Sequence, residues 1–274
     1  MSTKLLSIIT VTRNNAIGLL RTSKSVRSFK MKQSQIEWIV IDGASSDESI
    51  SVISDNADII DRWVSEPDAG IYNAMNKGIR LSSGNYLLFL NAGDTLSNEI
   101  VVTDLKKLLS EKFDLYYGNA YIEQNLKQYP DILTLDFFFL DSLCHQSMFI
   151  KSDYLKERGY DEKYKLASDL EYTLYMLFGR HCSSHHINLP ICIYESGGFS
   201  TNHYYDIARQ ERRAIISNYL DGGLEWYDSI LLRKELSNEP LFFIFQKLTY
   251  KKKLQSVTLF LIRFLVSIQH IVKK

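Results

Sequence analysis

Over roughly the first hundred residues, short apolar runs alternate with stretches in which apolar residues recur every three to four positions. That alternation predicts stacked βαβ units and a mostly parallel sheet. Strands are predicted over 5–12, 37–42, 59–64 and 86–90, with helices over 17–29, 45–56 and 71–80 between them. The second and fourth strands are too apolar to show either face to water, as suits the interior of a parallel sheet. Ser45 followed by Glu48 has the form of a capping box opening the second helix. Each strand gives way to polar residues, in Thr12-Arg13-Asn14, Asp42-Gly43, Glu66-Pro67-Asp68-Ala69-Gly70 and Asn91-Ala92-Gly93-Asp94. Open α/β sheets bind ligands beyond the carboxyl ends of their strands, so these segments are expected to converge on one site.

From residue 113 the pattern is mixed, with strands over 115–123, 146–150 and 184–194 and helices over 166–178 and 204–220. No linker rich in Pro, Gly or Ser separates the halves, so residues 1–220 are expected to form one continuous domain. Residues 221–274 read as a helical extension. Lys252, Ser256, Arg263, Ser267, His270 and Lys274 fall on one stripe of a helix whose remaining surface is Leu, Ile, Val and Phe. Arg263 interrupts that helix, which therefore lacks the span of about 20 apolar residues needed to cross a bilayer. An amphipathic helix on an anionic membrane surface is expected, with packing on the domain or on a dimer partner as the competing reading.

Composition narrows the classes. With 274 residues and 45% hydrophobic side chains the chain can bury a core without covalent staples, which excludes disorder and miniprotein scaffolds. The 32 basic and 32 acidic residues cancel, and neither a zinc-finger nor an RNA-binding signature is present, so nucleic acid is not an expected partner. The charge is uneven, however. No acidic residue follows Glu239, while seven basic ones do, leaving residues 1–239 at −7. Cys144, Cys182 and Cys192 are odd in number and irregularly spaced, which points to a reducing compartment rather than a disulfide framework. Residues 5–11 are broken by Ser7 and Thr10 and lack a cleavage pattern, so they read as a first strand and not a leader. His185 and His186 are neighbours on a strand, point to opposite faces and are not expected to share a zinc ion.

Neither Gly-x-Gly-x-x-Gly after the first strand nor a P-loop is present, which sets aside dehydrogenases, P-loop NTPases and sugar nucleotidyltransferases. What remains is a sheet edge of acidic and amide groups, suited to a nucleotide held by a metal and by carboxylate contacts. The succession Ser7-Ile8-Ile9-Thr10-Val11-Thr12-Arg13-Asn14, Ile39-Val40-Ile41-Asp42-Gly43-Ala44-Ser45-Ser46-Asp47, Ser65-Glu66-Pro67-Asp68-Ala69-Gly70-Ile71-Tyr72-Asn73-Ala74-Met75-Asn76-Lys77-Gly78 and Gly84-Asn85-Tyr86-Leu87-Leu88-Phe89-Leu90-Asn91-Ala92-Gly93-Asp94 resembles family 2 glycosyltransferases. The likeness spans roughly residues 5–200 and is greatest to the branch that builds bacterial exopolysaccharide and O-antigen, including colanic-acid-type enzymes.

The resemblance implies an α/β GT-A fold, a Rossmann-like central sheet flanked by helices. Residues 1–112 would take the nucleotide-sugar and 113–220 the acceptor. It implies that Asp42 contacts the uracil or ribose of a UDP-sugar, although a turn aspartate before Gly43 is also a sufficient reading. Thr10, Thr12 and Arg13 would line the same pocket, or be ordinary strand-end residues. Asp68 and Gly70 would cover the nucleotide, and Asn76 matches an asparagine of the following helix. Asn91 and Asp94 stand where the family places an Asp-x-Asp motif that holds Mn2+ or Mg2+ on the diphosphate; here only Asp94 is a carboxylate and the metal ligand. Asp169 matches the family's general base for an inverting displacement, with a helix-terminal carboxylate as the alternative. Glu171 is its fallback, and His145, Gln146, Glu171 and Ser200 are candidates for the acceptor side. Gln210-Glu211-Arg212-Arg213 resembles the Gln-x-x-Arg-Trp signature of processive synthases, but Ala214 replaces the tryptophan, so chain polymerisation is not expected. The expected protein is a peripheral enzyme of the cytoplasmic membrane face, acting on a lipid-linked saccharide. The alternative is a non-catalytic nucleotide-sugar or glycan binding partner of a synthase complex.

Overall fold

The computed structural model describes residues 4–33, 35–194 and 205–219. The predicted extension over 221–274 and Ser200 lie outside them. Two units divide the chain, Met1–Leu135 with Ser142–Ile215, and Asp136–Asp141 with Ile216–Lys274. Of the second, the described residues are 136–141, which hold most of α6 (Leu135–Leu140), and 216–219.

The first unit is built on one nine-stranded sheet. Its strands are β1 (Leu6–Thr12), β2 (Ile36–Asp42), β3 (Arg62–Ser65), β4 (Tyr86–Phe89), β5 (Thr95–Leu96), β6 (Leu115–Ile122), β7 (Asn125–Lys127), β8 (Met148–Lys151) and β9 (Ser184–Tyr194). They lie in the order β3-β2-β1-β4-β8-β6-β9-β5, with β7 paired to β6. The first four strands are mutually parallel. Beyond β4 the sheet is mixed, with β8 antiparallel to both neighbours and β6 parallel to β9. Every residue of β1, β2 and β4 is buried, which is why these strands read as near-continuous apolar runs.

Among the described residues eight α-helices accompany the sheet: α1 (Ala16–Lys32), α2 (Ser49–Asp55), α3 (Ile71–Leu81), α4 (Asn98–Val102), α5 (Leu105–Leu108), α7 (Ser152–Arg158), α8 (Ser168–Leu174) and most of α9 (Tyr205–Ser217). α8 continues into a π-helical turn over Tyr175–Gly179. Strand order runs outward from β1 to β3 and then reverses to β4. Right-handed crossovers therefore place α1 and α2 on one face and α3 on the other, and open a crevice between the carboxyl ends of β1 and β4. α3 packs so closely on β1 that a Cβ at Gly78 would lie 2.4 Å from Ile9 Cγ2.

The buried side chain of Glu37 belongs to the opposite end of the sheet. Its carboxylate accepts from Ser83 Oγ at 2.7 Å, from Gly84 N at 3.2 Å, and from Ser83 N and the Ser7 hydroxyl, which ties β1, β2 and the approach to β4 together.

The capping box expected at Ser45 and Glu48 does not form. α2 begins at Ser49, and Glu48 makes no side-chain cap bond. Ser45 commits its hydroxyl to Asp42 and to Asn14 N. Asp47 does the capping instead, accepting from Ser49 N at 3.0 Å and from Ala16 N of α1 at 2.9 Å. No helix among the described residues is long and apolar enough to cross a membrane.

Candidate active site at the carboxyl edge of the sheet

The residues expected on the nucleotide side lie where β1, β2 and β3 end. Thr12 lies in register with Asp42, and Asp42 with Ser65. The Asp42 carboxylate is fully buried and accepts from Ser45 N at 3.0 Å, Ser65 Oγ at 2.6 Å and the Ser45 hydroxyl. Both readings of Asp42 are thus compatible with its place: it organises the turn, and it does so at the crevice. Thr12 Oγ1, beside it, is buried without a partner. Thr10 sits two residues deeper, fully buried, and its hydroxyl accepts from Trp38 Nε1 at 2.9 Å, so of the two threonines only Thr12 stands at the edge.

Arg13 is exposed and flanks Gly43 together with Asp68. A Cβ at Gly43 would lie 2.8 Å from Asp68 Oδ2 and 3.3 Å from Arg13 Cδ. Lys77 pins the loop that carries Asp68, reaching Asp68 Oδ1 at 2.6 Å, Glu66 Oε1 at 2.9 Å and Pro67 O at 2.9 Å. Gly70, at the start of α3, has φ of 143°, a backbone conformation that side-chain-bearing residues rarely adopt, and the space beside it is open. Asn15 joins this edge to the next, capping α1 through Gly18 N at 3.0 Å while donating to Ala92 O at 3.0 Å.

The second cluster forms where β4 ends. Gln146 Nε2 donates to Asp94 Oδ2 at 2.7 Å, and the Cys144 thiol, 2.8 Å from Gln146 Oε1, fixes the amide in that orientation. Asn91 Nδ2 lies 3.1 Å from His145 Nε2, and His145 Nδ1 lies 3.0 Å from Asp169 Oδ2. Asp169 Oδ1 accepts from Tyr72 OH and from Leu170 N, each at 2.9 Å. Burial opposes ionisation of Asp169, but the hydrogen bond and charge of His145, with Tyr72 and the Leu170 amide, outweigh it and hold the carboxyl below the usual aspartate range. Burial likewise opposes charge on His145, and Asp169 outweighs it, so the imidazole keeps its proton to higher pH than usual. The result is a carboxylate held in its ionised form by hydrogen bonds and a neighbouring charge.

Other expected residues are placed differently. Asn76 is buried, and its amide clamps the chain at Tyr160 and Glu162: Nδ2 donates to Tyr160 O at 2.9 Å and Glu162 Oε1 at 2.8 Å, and Oδ1 accepts from Tyr160 N at 2.8 Å. Glu171 turns to Arg158, which donates at 2.6 Å and stacks over Tyr175 at 4.4 Å. Tyr72, Asn15 and Lys77 had no expected role. Tyr72 lies within the segment from Ser65 to Gly78, yet its bond to Asp169 spans 97 residues and is set by tertiary structure alone.

Among the described residues no three His, Cys, Asp or Glu side chains gather as a metal site. Asp94 nevertheless offers one carboxylate, and Asn91 Oδ1 is buried without a hydrogen-bond partner. That pair fits a hard divalent ion held mainly by phosphate oxygens and water.

Residues 7–160 match the profile of glycosyl transferase family 2. An uncharacterised glycosyltransferase of Mycobacterium tuberculosis is 35% identical over 176 residues, covering 61% of this chain and 67% of the relative. A PGL/p-HBAD biosynthesis glycosyltransferase of the same species is 26% identical over 208 residues, covering 73% and 80%. Among solved structures, residues 1–349 of Staphylococcus aureus TarS in complex with UDP-GlcNAc superimpose with a TM-score of 0.63 at 17% identity, covering 92% of this chain and 77% of that one. The mannosyltransferase PcManGT of Pyrobaculum calidifontis, in complex with GDP-Man and Mn2+, gives a TM-score of 0.53 at 15% identity, covering 78% and 62%. These structural likenesses speak for the fold, an α/β sheet of the GT-A kind. The family profile covers more than half of the sequence, and by it the chain belongs to glycosyl transferase family 2.

Proposed function

We propose that the protein is an inverting glycosyltransferase that moves a sugar from a UDP-sugar to a lipid-linked saccharide in bacterial surface polysaccharide synthesis. The observation that carries the reading is the continuous set of contacts from Asn91 through His145 to Asp169. It joins the loop suited to a diphosphate to a carboxylate suited to the acceptor hydroxyl. Asp42, Thr12, Arg13, Asp68 and Gly70 form the nucleotide side, within residues 1–112. Asp169, His145 and Gln146 lie in the acceptor half, 113–220. The TarS complex with UDP-GlcNAc supports the donor class; the exopolysaccharide and O-antigen branch rests on the resemblance of the four motifs.

Asp94 and Asn91 would hold Mn2+ or Mg2+, which when bound neutralises charge on the departing diphosphate. The chain's own residues do the rest. Gln146 orients Asp94, Tyr72 and His145 fix both oxygens of Asp169, and Asp169 takes the proton from the acceptor hydroxyl as it attacks. Buried, preoriented groups of this kind need no rearrangement as charge shifts. A non-catalytic binding protein would have no use for such a base, and hydrolysis of a UDP-sugar by the purified chain separates the two readings.

The test is a thermal-shift panel of nucleotide-sugars with and without manganese, since a ligand raises the melting temperature only where the folded state binds it. UDP with metal is expected to stabilise the wild type, Asp94→Ala to lose the metal-dependent part, and Asp42→Ala to weaken binding with or without metal. Equal stabilisation in excess chelator would overturn the metal role. For the tail, the seven basic residues after Glu239 support attachment at the cytoplasmic membrane face. Deleting 241–274 is expected to abolish sedimentation with anionic vesicles and to spare donor hydrolysis. Loss of donor binding in the truncated protein would favour packing on the domain.

A further inference from the structure

α8 carries Asp169 in its first turn but has a poor start of its own. Its cap residue is Ala167, which makes no side-chain cap bond. Alanine is among the weakest N-caps because it offers no acceptor to the orphan amides of the first turn. The chain leading into the helix is held from elsewhere. Glu211, on α9, accepts from three consecutive backbone amides: Lys165 N to Oε1 at 2.7 Å, and Leu166 N and Ala167 N to Oε2 at 2.9 and 3.1 Å.

Three charge-assisted bonds to adjacent donors fix both the height and the rotation of that segment. The last of them falls two residues before Asp169. Asp169 must in turn meet Tyr72 OH at 2.9 Å and His145 Nδ1 at 3.0 Å, groups borne by other parts of the fold. A small shift in where α8 begins would break both meetings, because each is a single bond of ordinary length. Glu211 lies within Gln210-Glu211-Arg212-Arg213, the segment whose processive reading fails at Ala214.

We infer that Glu211 is a positioning residue, which sets the geometry of Asp169 by clamping residues 165–167; the inference rests on the transferase reading above. Misplacement of a catalytic group by about 1 Å can cost on the order of 10²-fold in rate, while donor contacts elsewhere are untouched. The role therefore predicts a loss in kcat without a change in donor KM.

The experiment compares wild type, Glu211→Ala, Glu211→Gln and each in an Asp169→Asn background. It follows hydrolysis of UDP-glucose, UDP-galactose and UDP-N-acetylglucosamine with manganese, and amide hydrogen exchange over 165–170. In Glu211→Ala, exchange at 165–167 is expected to speed up, kcat to fall about 10- to 100-fold, and donor KM to stay within about twofold. Glu211→Gln keeps one acceptor oxygen and should lie between, and it decides the matter if the alanine variant does not fold. In the Asp169→Asn background either substitution should cost almost nothing further, because two residues acting through one group are not additive. Faster exchange with unchanged kcat would reduce Glu211 to a structural cap, and a full additional loss beside Asp169→Asn would overturn the route through Asp169. A wild-type chain that consumes no donor fails the transferase reading and takes the positioning role with it. A wild-type chain that does, beside an unslowed Glu211→Ala, overturns the positioning role alone.

Discussion

His145 stands between Asn91 and Asp169, with Nε2 3.1 Å from the Asn91 amide nitrogen and Nδ1 3.0 Å from Asp169 Oδ2. One imidazole thus spans the loop after β4 and the first turn of α8. Protonated at Nδ1, the ring donates to that carboxylate. That bond is one of the causes holding Asp169 ionised.

Asp169→Asn preserves shape and removes basicity. Sugar transfer is expected to fall by about 10²- to 10⁴-fold, the usual contribution of a general base, with the thermal shift given by UDP and manganese unchanged. Near wild-type transfer would place the base elsewhere, and loss of the thermal shift would make Asp169 a structural carboxylate. Glu171→Gln, whose carboxylate faces Arg158, should leave the rate within about threefold of wild type, since only a base in contact with the reacting atoms carries the larger factor.

His145→Ala tests the electrostatic coupling. Without the histidine, burial acts on Asp169 with less opposition and its pKa rises. A base must be deprotonated to work, so the acid limb of the rate profile for donor hydrolysis should move to higher pH. An acid limb that stays in place while the rate falls uniformly would assign His145 to packing or acceptor contact instead.

The parallel half of the fold was legible because β1, β2 and β4 are buried on both faces and so leave an unmixed apolar signal. Their polar termini were legible for the same reason: Thr12, Asp42 and Asn91 break that signal abruptly. Local chemistry misled at Ser45, where the capping pattern is real in sequence but the hydroxyl is claimed by Asp42. Asn76, singled out by the family resemblance, gave no local sign that its amide clamps a segment more than eighty residues later. β5 and β7 have two and three residues, too few to show a period, and exist only through their pairing with β9 and β6. Tyr72 and Glu211 escaped because each acts on a partner far away in sequence.

Away from the site, Asp61 accepts from Trp38 N at 2.8 Å and pairs with Lys30 and Lys4. Burial raises its pKa, but those partners outweigh it and the carboxyl titrates below its usual range. A depressed carboxylate pKa contributes stability above the unfolded value, and that contribution is lost as pH falls through the folded value. With the carboxylate still reached by water, Asp61→Asn should cost about 1 kcal/mol near pH 7. The melting-temperature difference from wild type should shrink as the pH drops below about 4, the ordinary aspartate value. A difference that persists at low pH would trace it to something other than the charge.

The single carboxylate of Asn91-Ala92-Gly93-Asp94 invites the idea that Gly93→Asp would complete a stronger metal site. The backbone argues otherwise. Gly93 has φ of 111°, and the turn is locked on both sides by Thr22, whose hydroxyl accepts from Gly93 N at 3.0 Å and donates to Asp94 O at 2.8 Å. Space is not the obstacle, since a Cβ there would find only Asn15 Nδ2, at 3.9 Å. Any side chain at this φ carries strain of about 1–3 kcal/mol, which for a chain of this size is a fall of several degrees in melting temperature. Gly93→Ala and Gly93→Asp should therefore lose stability by similar amounts, and the aspartate should not strengthen the manganese-dependent stabilisation by UDP. Calorimetric melts of the two variants, with and without UDP and manganese, decide it: an aspartate variant as stable as wild type and more responsive to metal would show that the turn relaxes and that the glycine is no constraint on the site.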